Sequence, residues 1–205
     1  MTELHVVTFD VNVYLDVADL VGAGFTWESF TSHAVEIASL PCPASDKRKD
    51  SLRAVAVVTS GALPNGSPVQ VWTSDHIADL VFTKLTQPLD GATPEERGLG
   101  WTEEDAESLF ETLHETLVLD KTSGDYVREG LVARHSPPLD HEDGMVYATS
   151  LEAGTASNGG WPYLVTQDAK FRAAAPSNVE ALSPAEFLQY VRGLNARRGP
   201  RPPTL

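Results

Sequence analysis

The chain has 205 residues, of which 41% are apolar and 21% are charged, enough for one substantial hydrophobic core and too few for two independent ones. No apolar run approaches the roughly 18 residues of a membrane span, no basic and apolar leader opens the chain, and the lone Cys42 excludes an internal disulfide, so we expect a cytoplasmic protein with no membrane partner. The 29 acidic and 15 basic residues give a net charge of −14, which argues against a surface that coats nucleic acid nonspecifically.

The first part of the chain reads as strand and helix in alternation. The run from His5 to Asp10 is apolar and rich in β-branched residues, which predicts a buried strand that ends on an acid. Val11 to Gly22 has apolar residues at helical spacing, and a glycine ends it. Val69 to Ser74 predicts a second strand, whose last residue is the N-cap of a helix over Asp75 to Leu85. The periodicity of Asp50 to Ser60 does not decide between helix and strand.

The second part continues this alternation. The predicted elements are a helix that begins after Thr102, a strand over Tyr126 to Ala133, a helix from Asp140 to Gly154, strands over Tyr163 to Thr166 and Val179 to Leu182, and a helix capped by Ser183. Such alternation predicts an α/β fold of three layers, with a mostly parallel central sheet and helices on both faces. We expect one domain over residues 1–195, with insertions around 41–68 and 120–138 and a basic, proline-rich tail over 196–205.

Three aspartates are predicted at the carboxyl edge of this sheet. Asp10 ends the first strand, Asp168 follows a later one, and Asp143 lies in the first turn of a helix. Functional residues of parallel sheets gather beyond the carboxyl ends of the strands, so the three should share one cleft. Asp140, three residues before Asp143, lies on the same helical face or caps the helix. Carboxylates gathered without nearby sulfur suit Mg²⁺ or Mn²⁺, which would relieve their mutual repulsion.

The same segments resemble the motifs of PIN-domain nucleases. Thr8-Phe9-Asp10-Val11-Asn12-Val13 resembles the family's opening D-x-N strand, and the stretch from Leu139 to Thr149 resembles its D-x-x-D helix. The stretch from Leu164 to Phe171 resembles its lvTxDxxF strand and turn, in which the threonine helps to hold the metal-binding acids. The order and spacing agree, and the stretch from Leu182 to Leu188 extends the likeness over nearly the whole chain.

This resemblance implies a PIN-like fold and a metal-dependent endoribonuclease that hydrolyses RNA phosphodiesters. It implies Asp10, Asp143 and Asp168 as catalytic residues and metal ligands, Asp140 as a further ligand, and Asn12 and Thr166 as supporting residues. Mg²⁺ or Mn²⁺ would then orient a water molecule for in-line attack on the phosphodiester. The resemblance further implies a toxin of the VapC kind, or a related PIN protein acting on structured or single-stranded RNA. Such proteins are often controlled by a small antitoxin protein and are often homodimers.

One position departs from the family pattern. PIN-domain nucleases carry a further acid, most often Glu, on the helix after their second core strand. Here that helix offers Asp75 and Asp79, while Leu80 falls nearest the expected place. We assign Asp79, one residue away, as a metal ligand. If neither aspartate reaches the cleft, the metal site has fewer acidic ligands than that of the family.

Other functions and roles stay open at this point. A haloacid-dehalogenase-like phosphohydrolase also has an aspartate at the end of its first strand, but it needs a second one where this chain has Asn12. A PIN-like module with an incomplete acid set would bind RNA or a protein without cleaving RNA. Asp10 and Asp140 could serve only as helix caps, and Glu142 as a surface acid that complements the helix dipole.

Overall fold

The chain folds into an α/β architecture around one all-parallel sheet. The computed structural model describes residues 3–39, 46–93, 96–122, 124–131 and 139–197. Within these ranges the sheet has five strands in the order β3-β2-β1-β4-β5. The strands are β1 His5–Phe9, β2 Val69–Ser74, β3 Tyr126–Val127, β4 Trp161–Val165 and β5 Glu180–Leu182. Because all strands run in parallel, their carboxyl ends lie at one edge, where the predicted acids follow β1 and β4.

Helices connect the strands and cover the sheet. In the described part of the chain they are α1 Val11–Val21, α2 Trp27–Ser39, α3 Lys47–Ala56, α4 Asp75–Thr86, α5 Glu103–Leu113, α6 His141–Ala156, α7 Ala169–Ala174 and α8 Pro184–Arg197. A π-helical segment, His114–Lys121, extends α5. None of the helices described is both long enough and apolar enough for a membrane crossing.

The predicted caps explain where several of these helices begin. The Ser74 hydroxyl accepts from the Ile77 amide at the start of α4, and Thr102 caps α5 by accepting from the Asp105 amide at 3.1 Å. Ser183 and Glu186 form a reciprocal capping box at α8, in which the Ser183 amide donates to the glutamate at 2.7 Å. These hydrogen bonds confirm the predicted caps. Capping side chains are favoured there because they satisfy amides that lack partners within the helix.

The sheet is buried on both faces, which gives the three predicted layers. Along β1, Val7 and Phe9 enter a large core that includes residues of α1, α3, α4, α5 and α8. Val6, between them, joins a smaller core with Met145 of α6. Alternate side chains of a strand point to opposite faces, so α6 forms the second helical layer. Its Gly154 has no room for a Cβ atom, which would lie 2.8 Å from Pro162 of β4.

Three local predictions require correction or completion. The undecided stretch over 50–60 is largely helical, since Leu52 and Val55 of α3 are buried in the large core. The strand predicted over 126–133 ends at Val127, because the Glu129 amide donates to the Asp75 carboxylate at 3.1 Å and the chain leaves the sheet; residues 132 and 133 lie outside the described ranges. Helices α2 and α7 were not predicted.

The predicted domain boundaries are described only in part. Within the segment predicted as the first insertion, the described residues include α3, which packs against α1 and α8. Residues 132–138 of the second predicted insertion and 198–205 of the predicted tail lie outside the described ranges. Helix α8 continues to Arg197, beyond the boundary predicted at residue 195.

Candidate active site

An open cleft lies beyond the carboxyl ends of β1 and β4. It has a volume of about 550 Å³, part of it open to solvent. Asp10, Asp143 and Asp168 all line it, as the position of each relative to the sheet predicted. Glu142 is a fourth acid in its wall, and Leu80 and Lys84 of α4 line it as well. The cleft therefore gathers acids from three separate parts of the sequence.

Asp10 is the most constrained acid of the cleft. Asp10 is only 5% exposed, and its carboxylate caps α1 by accepting from the Val11 amide at 2.7 Å. Its second oxygen, Oδ2, accepts from Asn12 Nδ2 at 2.5 Å and from the Thr166 hydroxyl at 2.6 Å. Burial raises the pKa of Asp10, and these hydrogen bonds oppose that rise. Asp10 is thus both a helix cap and a cleft residue.

Asn12 and Thr166 fix the orientation of Asp10. The Thr166 hydroxyl accepts from Asn12 Nδ2 and from the Asp168 amide, both at 3.0 Å. Asn12 Oδ1 accepts from the Gln167 amide at 2.9 Å. Asn12 therefore positions Asp10 and provides no second carboxyl group of the kind that the phosphohydrolase chemistry requires.

Gln167 joins this network to helix α3. Its Nε2 donates to the Lys47 carbonyl at 2.8 Å and to the Ser51 hydroxyl at 2.9 Å. The Ser51 hydroxyl in turn donates to Asp16 of α1 at 2.6 Å. This role was not predicted from the sequence, although Gln167 lies between Thr166 and Asp168. The signal is visible only after folding, because its partners are more than one hundred residues away in the sequence.

Asp143 lies in the first turn of α6 and is half-buried. Burial raises its pKa to about 7, and the negative charges of Asp140, Asp10 and Asp168 add to this rise. These charges act on Asp143 because the acids lie around one cleft. Asp140 itself is exposed and caps α6, accepting from the Asp143 amide at 2.9 Å. Asp140 does not line the cleft and affects it only through its contact with Asp143.

Asp168 has a capping role as well as a place in the cleft. Its Oδ1 accepts from the Lys170 amide at 2.6 Å and from the Phe171 amide at 3.0 Å, at the start of α7. The residue is exposed. Asp168 thus shares with Asp10 the combination of helix cap and cleft acid.

The structure does not bring Asp79 into the cleft. Asp79 lines a different groove, between α4 and α5, while Leu80 occupies the cleft wall. Neighbouring residues on a helix point about 100° apart, so a shift of one residue turns the side chain away. Asp75 is not a substitute, because its carboxylate accepts from the Glu129 amide and the Tyr126 hydroxyl. Glu142 is an exposed acid in the first turn of α6, as predicted, and it also lines the cleft beside the three predicted aspartates.

Lys84 lines the cleft but was not predicted from the sequence as a site residue. It lies four residues after Leu80, which places both on one face of α4. Its ammonium group donates to Gln87 Oε1 at 3.1 Å. The cleft thus has a cation on the α4 side and carboxylates on the other sides.

The chemistry of these residues fits a hard divalent cation. The wall presents carboxylate oxygens without sulfur, and burial, with the nearby negative charges, raises the pKa of Asp143. In the ranges that the structure describes, however, no three acidic, histidine or cysteine side chains form a group ready to hold a metal ion. One oxygen of Asp10 and one of Asp168 accept from backbone amides at helix starts.

Comparison with family models, curated proteins and solved structures found no match. The fold class therefore rests on the strand order and layers of this chain. The relation to PIN-domain nucleases rests on the motifs in the sequence and stays a prediction.

Proposed function

We propose that the chain is a metal-dependent endoribonuclease whose active site is the carboxylate cleft. The observation that carries the proposal is the meeting of Asp10, Asp143 and Asp168 in one cleft, where mutual repulsion contributes to the raised pKa of Asp143. Such crowding of acids is unfavourable for folding, so it is expected where function requires it. The resemblance of the surrounding motifs to PIN-domain nucleases supplies the reaction class and the substrate, RNA.

The chain's own residues divide into two roles in this proposal. Asp10, Asp143 and Asp168, with Glu142, provide the negative charge of the site. Asn12 and Thr166 hold the Asp10 carboxylate in one orientation, which lowers the cost of reorganisation during the reaction. Lys84 is placed to contact a phosphate oxygen of the substrate, because it is a cation at the edge of the same cleft.

Asp10, Asp143 and Asp168 would hold Mg²⁺ or Mn²⁺, with Glu142 as an additional acid and Asp140 acting on Asp143 from outside the cleft wall. When bound, the cation would lower the pKa of a water molecule for attack on the phosphodiester and neutralise developing charge. Asp143 is expected to give up its proton on binding, since its pKa is raised to about 7 in the absence of a cation.

Cleavage of a labelled single-stranded RNA by the purified chain tests the proposal. We expect cleavage with Mn²⁺ or Mg²⁺, none with EDTA, and none by Asp143→Asn, which removes one negative ligand at nearly constant shape. Asp90→Asn is a matched control, because Asp90 is an exposed aspartate and does not line the cleft. Cleavage that persists in Asp143→Asn, or no cleavage with either metal, would contradict the proposal.

A second candidate function has one specific observation in its favour. Leu80, an aliphatic residue, occupies the cleft wall on α4, where the family pattern has its further acid. A site that lacks this further acid would bind RNA without cleaving it. RNA binding that depends on Lys84, together with no cleavage at any metal concentration, would support this candidate over the nuclease.

The resemblance also implies control by an antitoxin protein and a homodimeric assembly. Both stay predictions, because they depend on the family analogy. A short neighbouring reading frame for an antitoxin would support the first, and the mass of the purified chain in solution would test the second.

A further inference from the structure

A second concave surface lies on another side of α4, away from the carboxylate cleft. We call it the aromatic groove; its lining residues come from α4, α5 and β3 and are Ala78, Asp79, Phe82, Glu107, Phe110, Glu111 and Tyr126. It has a volume of about 690 Å³, part of it open to solvent. The proposed nuclease reaction uses none of these residues.

Three half-buried aromatic rings contribute to the groove. Phe110 and Tyr126 meet edge to face at 6.4 Å, and Phe110 stacks on His114 at 5.4 Å. The Tyr126 hydroxyl also bonds to the carboxylate of Asp75, the first residue of α4. Rings held by such contacts offer a rigid surface, and the face of an aromatic ring carries partial negative charge.

The same groove carries three exposed carboxylates, those of Asp79, Glu107 and Glu111. None of them forms an ion pair within 4.0 Å with a cation of the described chain. Glu107 and Glu111 are four residues apart on α5, so they lie on one face and repel each other. Aromatic faces and carboxylates attract the same kind of group, a cation.

We propose that the aromatic groove binds a basic segment of a partner protein, with an arginine side chain over the rings and its guanidinium group paired with the carboxylates. Arginine fits better than lysine, because its planar guanidinium group stacks on aromatic rings and can also donate two parallel hydrogen bonds to one carboxylate. The negative charge of the groove disfavours RNA. It also disfavours a second copy of this chain, because a twofold contact would place acid against acid.

Binding of a fluorescent peptide that alternates arginine with alanine tests this surface. We expect the wild-type chain to bind it, with an affinity that falls as salt rises. Glu107→Gln combined with Glu111→Gln should weaken binding about tenfold or more, since two ion pairs are lost. Phe82→Leu should also weaken it, because leucine keeps the apolar contact and removes the aromatic face.

The matched control combines Glu28→Gln with Glu36→Gln, which removes the same charge from exposed positions of α2. We expect this variant to bind the peptide like the wild type. Equal weakening in the control would overturn the proposal, because attraction would then reflect only the net charge of −14. No binding by the wild type, or RNA binding or self-association that the groove variants abolish, would overturn it as well. The outcome does not depend on whether the chain cleaves RNA.

Discussion

Helix α4 separates two acidic surfaces that differ in how the acids are held. On one side, the cleft includes the buried Asp10, whose oxygens accept from a backbone amide, a side-chain amide and a hydroxyl group. On the other side, the carboxylates of the aromatic groove are exposed. A buried carboxylate has lost water and needs hydrogen bonds in return, whereas an exposed one keeps its hydration.

This difference separates two uses of negative charge. In the cleft, hydrogen bonds fix Asp10 and Asp168 at defined positions, and crowding of the acids around Asp143 has a cost in folding stability. The groove acids are hydrated and adaptable, which suits a partner that brings its own cations. Substitutions on the two sides of α4 should therefore have separate effects on cleavage and on peptide binding.

The largest combined effect on cleavage and on stability is expected from Asp10→Asn. Cleavage should fall about a hundredfold or more, because a negative ligand is lost. The free energy of unfolding should fall by about 1–3 kcal/mol, since the new amide group would face the Asn12 amide and the Thr166 hydroxyl, both donors to Oδ2 now. RNA cleavage and urea denaturation measure the two effects. Glu111→Gln, in the groove, should retain full cleavage; equal losses in both variants would show that the two acidic surfaces do not have separate functions.

Gln167→Ala should have the next largest effect. It removes the side-chain bonds to Ser51 and Lys47 but keeps the backbone amide that donates to Asn12. We expect cleavage to fall about tenfold with little change in KM, and the free energy of unfolding to fall by about 1–2 kcal/mol. Hydrogen exchange in α3 should become faster. Gln189→Ala, at an exposed position of α8, is the control; unchanged exchange in α3 would remove Gln167 as the link to that helix.

Lys84→Gln tests the one lysine or arginine among the described residues that line the cleft. We expect KM for RNA to rise about fivefold with a smaller change in kcat, because a phosphate contact is lost. The slope of log Kd against log salt should become shallower by about 0.7. Lys84→Arg should retain both values, and Lys121→Gln is a control at an exposed lysine. A lower kcat with unchanged KM would instead assign Lys84 a role in chemistry.

Asp143→Asn should change the stability of the metal-free chain with pH. The folded-state pKa of about 7 lies above the ordinary value of 3.8, so the folded chain retains a proton that the unfolded chain releases. The wild type therefore loses stability as pH rises from about 4 to about 7, and the variant lacks this loss. Because Asp143 is partly exposed, we expect a gain of about 1 kcal/mol at pH 8, or roughly 2–4 °C in Tm, and little at pH 4. An equal gain at both values would contradict the electrostatic cause.

The smallest effect on cleavage is expected from Asp79→Asn, because Asp79 faces the groove and not the cleft. Cleavage should match the wild type, while binding of the arginine peptide should weaken a few-fold. Parallel assays on one preparation provide the test. A loss of cleavage comparable to that of Asp10→Asn would restore Asp79 as a ligand and refute the geometry described for α4.

Local patterns determined much of the fold. Strand β2 and the caps at Ser74, Thr102 and Ser183 follow from hydrophobic patterns and short-range hydrogen bonds, whose partners are a few residues apart. The early end of β3 could not be predicted in this way. It depends on a bond between Glu129 and Asp75, which are far apart in the sequence.

The sequence by itself determined the α/β class and the acids Asp10, Asp143 and Asp168, because strand ends and helix starts place them at one edge of a parallel sheet. Counting along α4 already placed Leu80 nearest the position of the family's further acid, but only the folded chain shows that Lys84 faces the cleft, that Asp79 faces the groove, and that Gln167 contacts α3. The physical reason is that rotation of a helix about its axis is set by packing against neighbours distant in sequence, and one residue of rotation exchanges an acid for an aliphatic side chain.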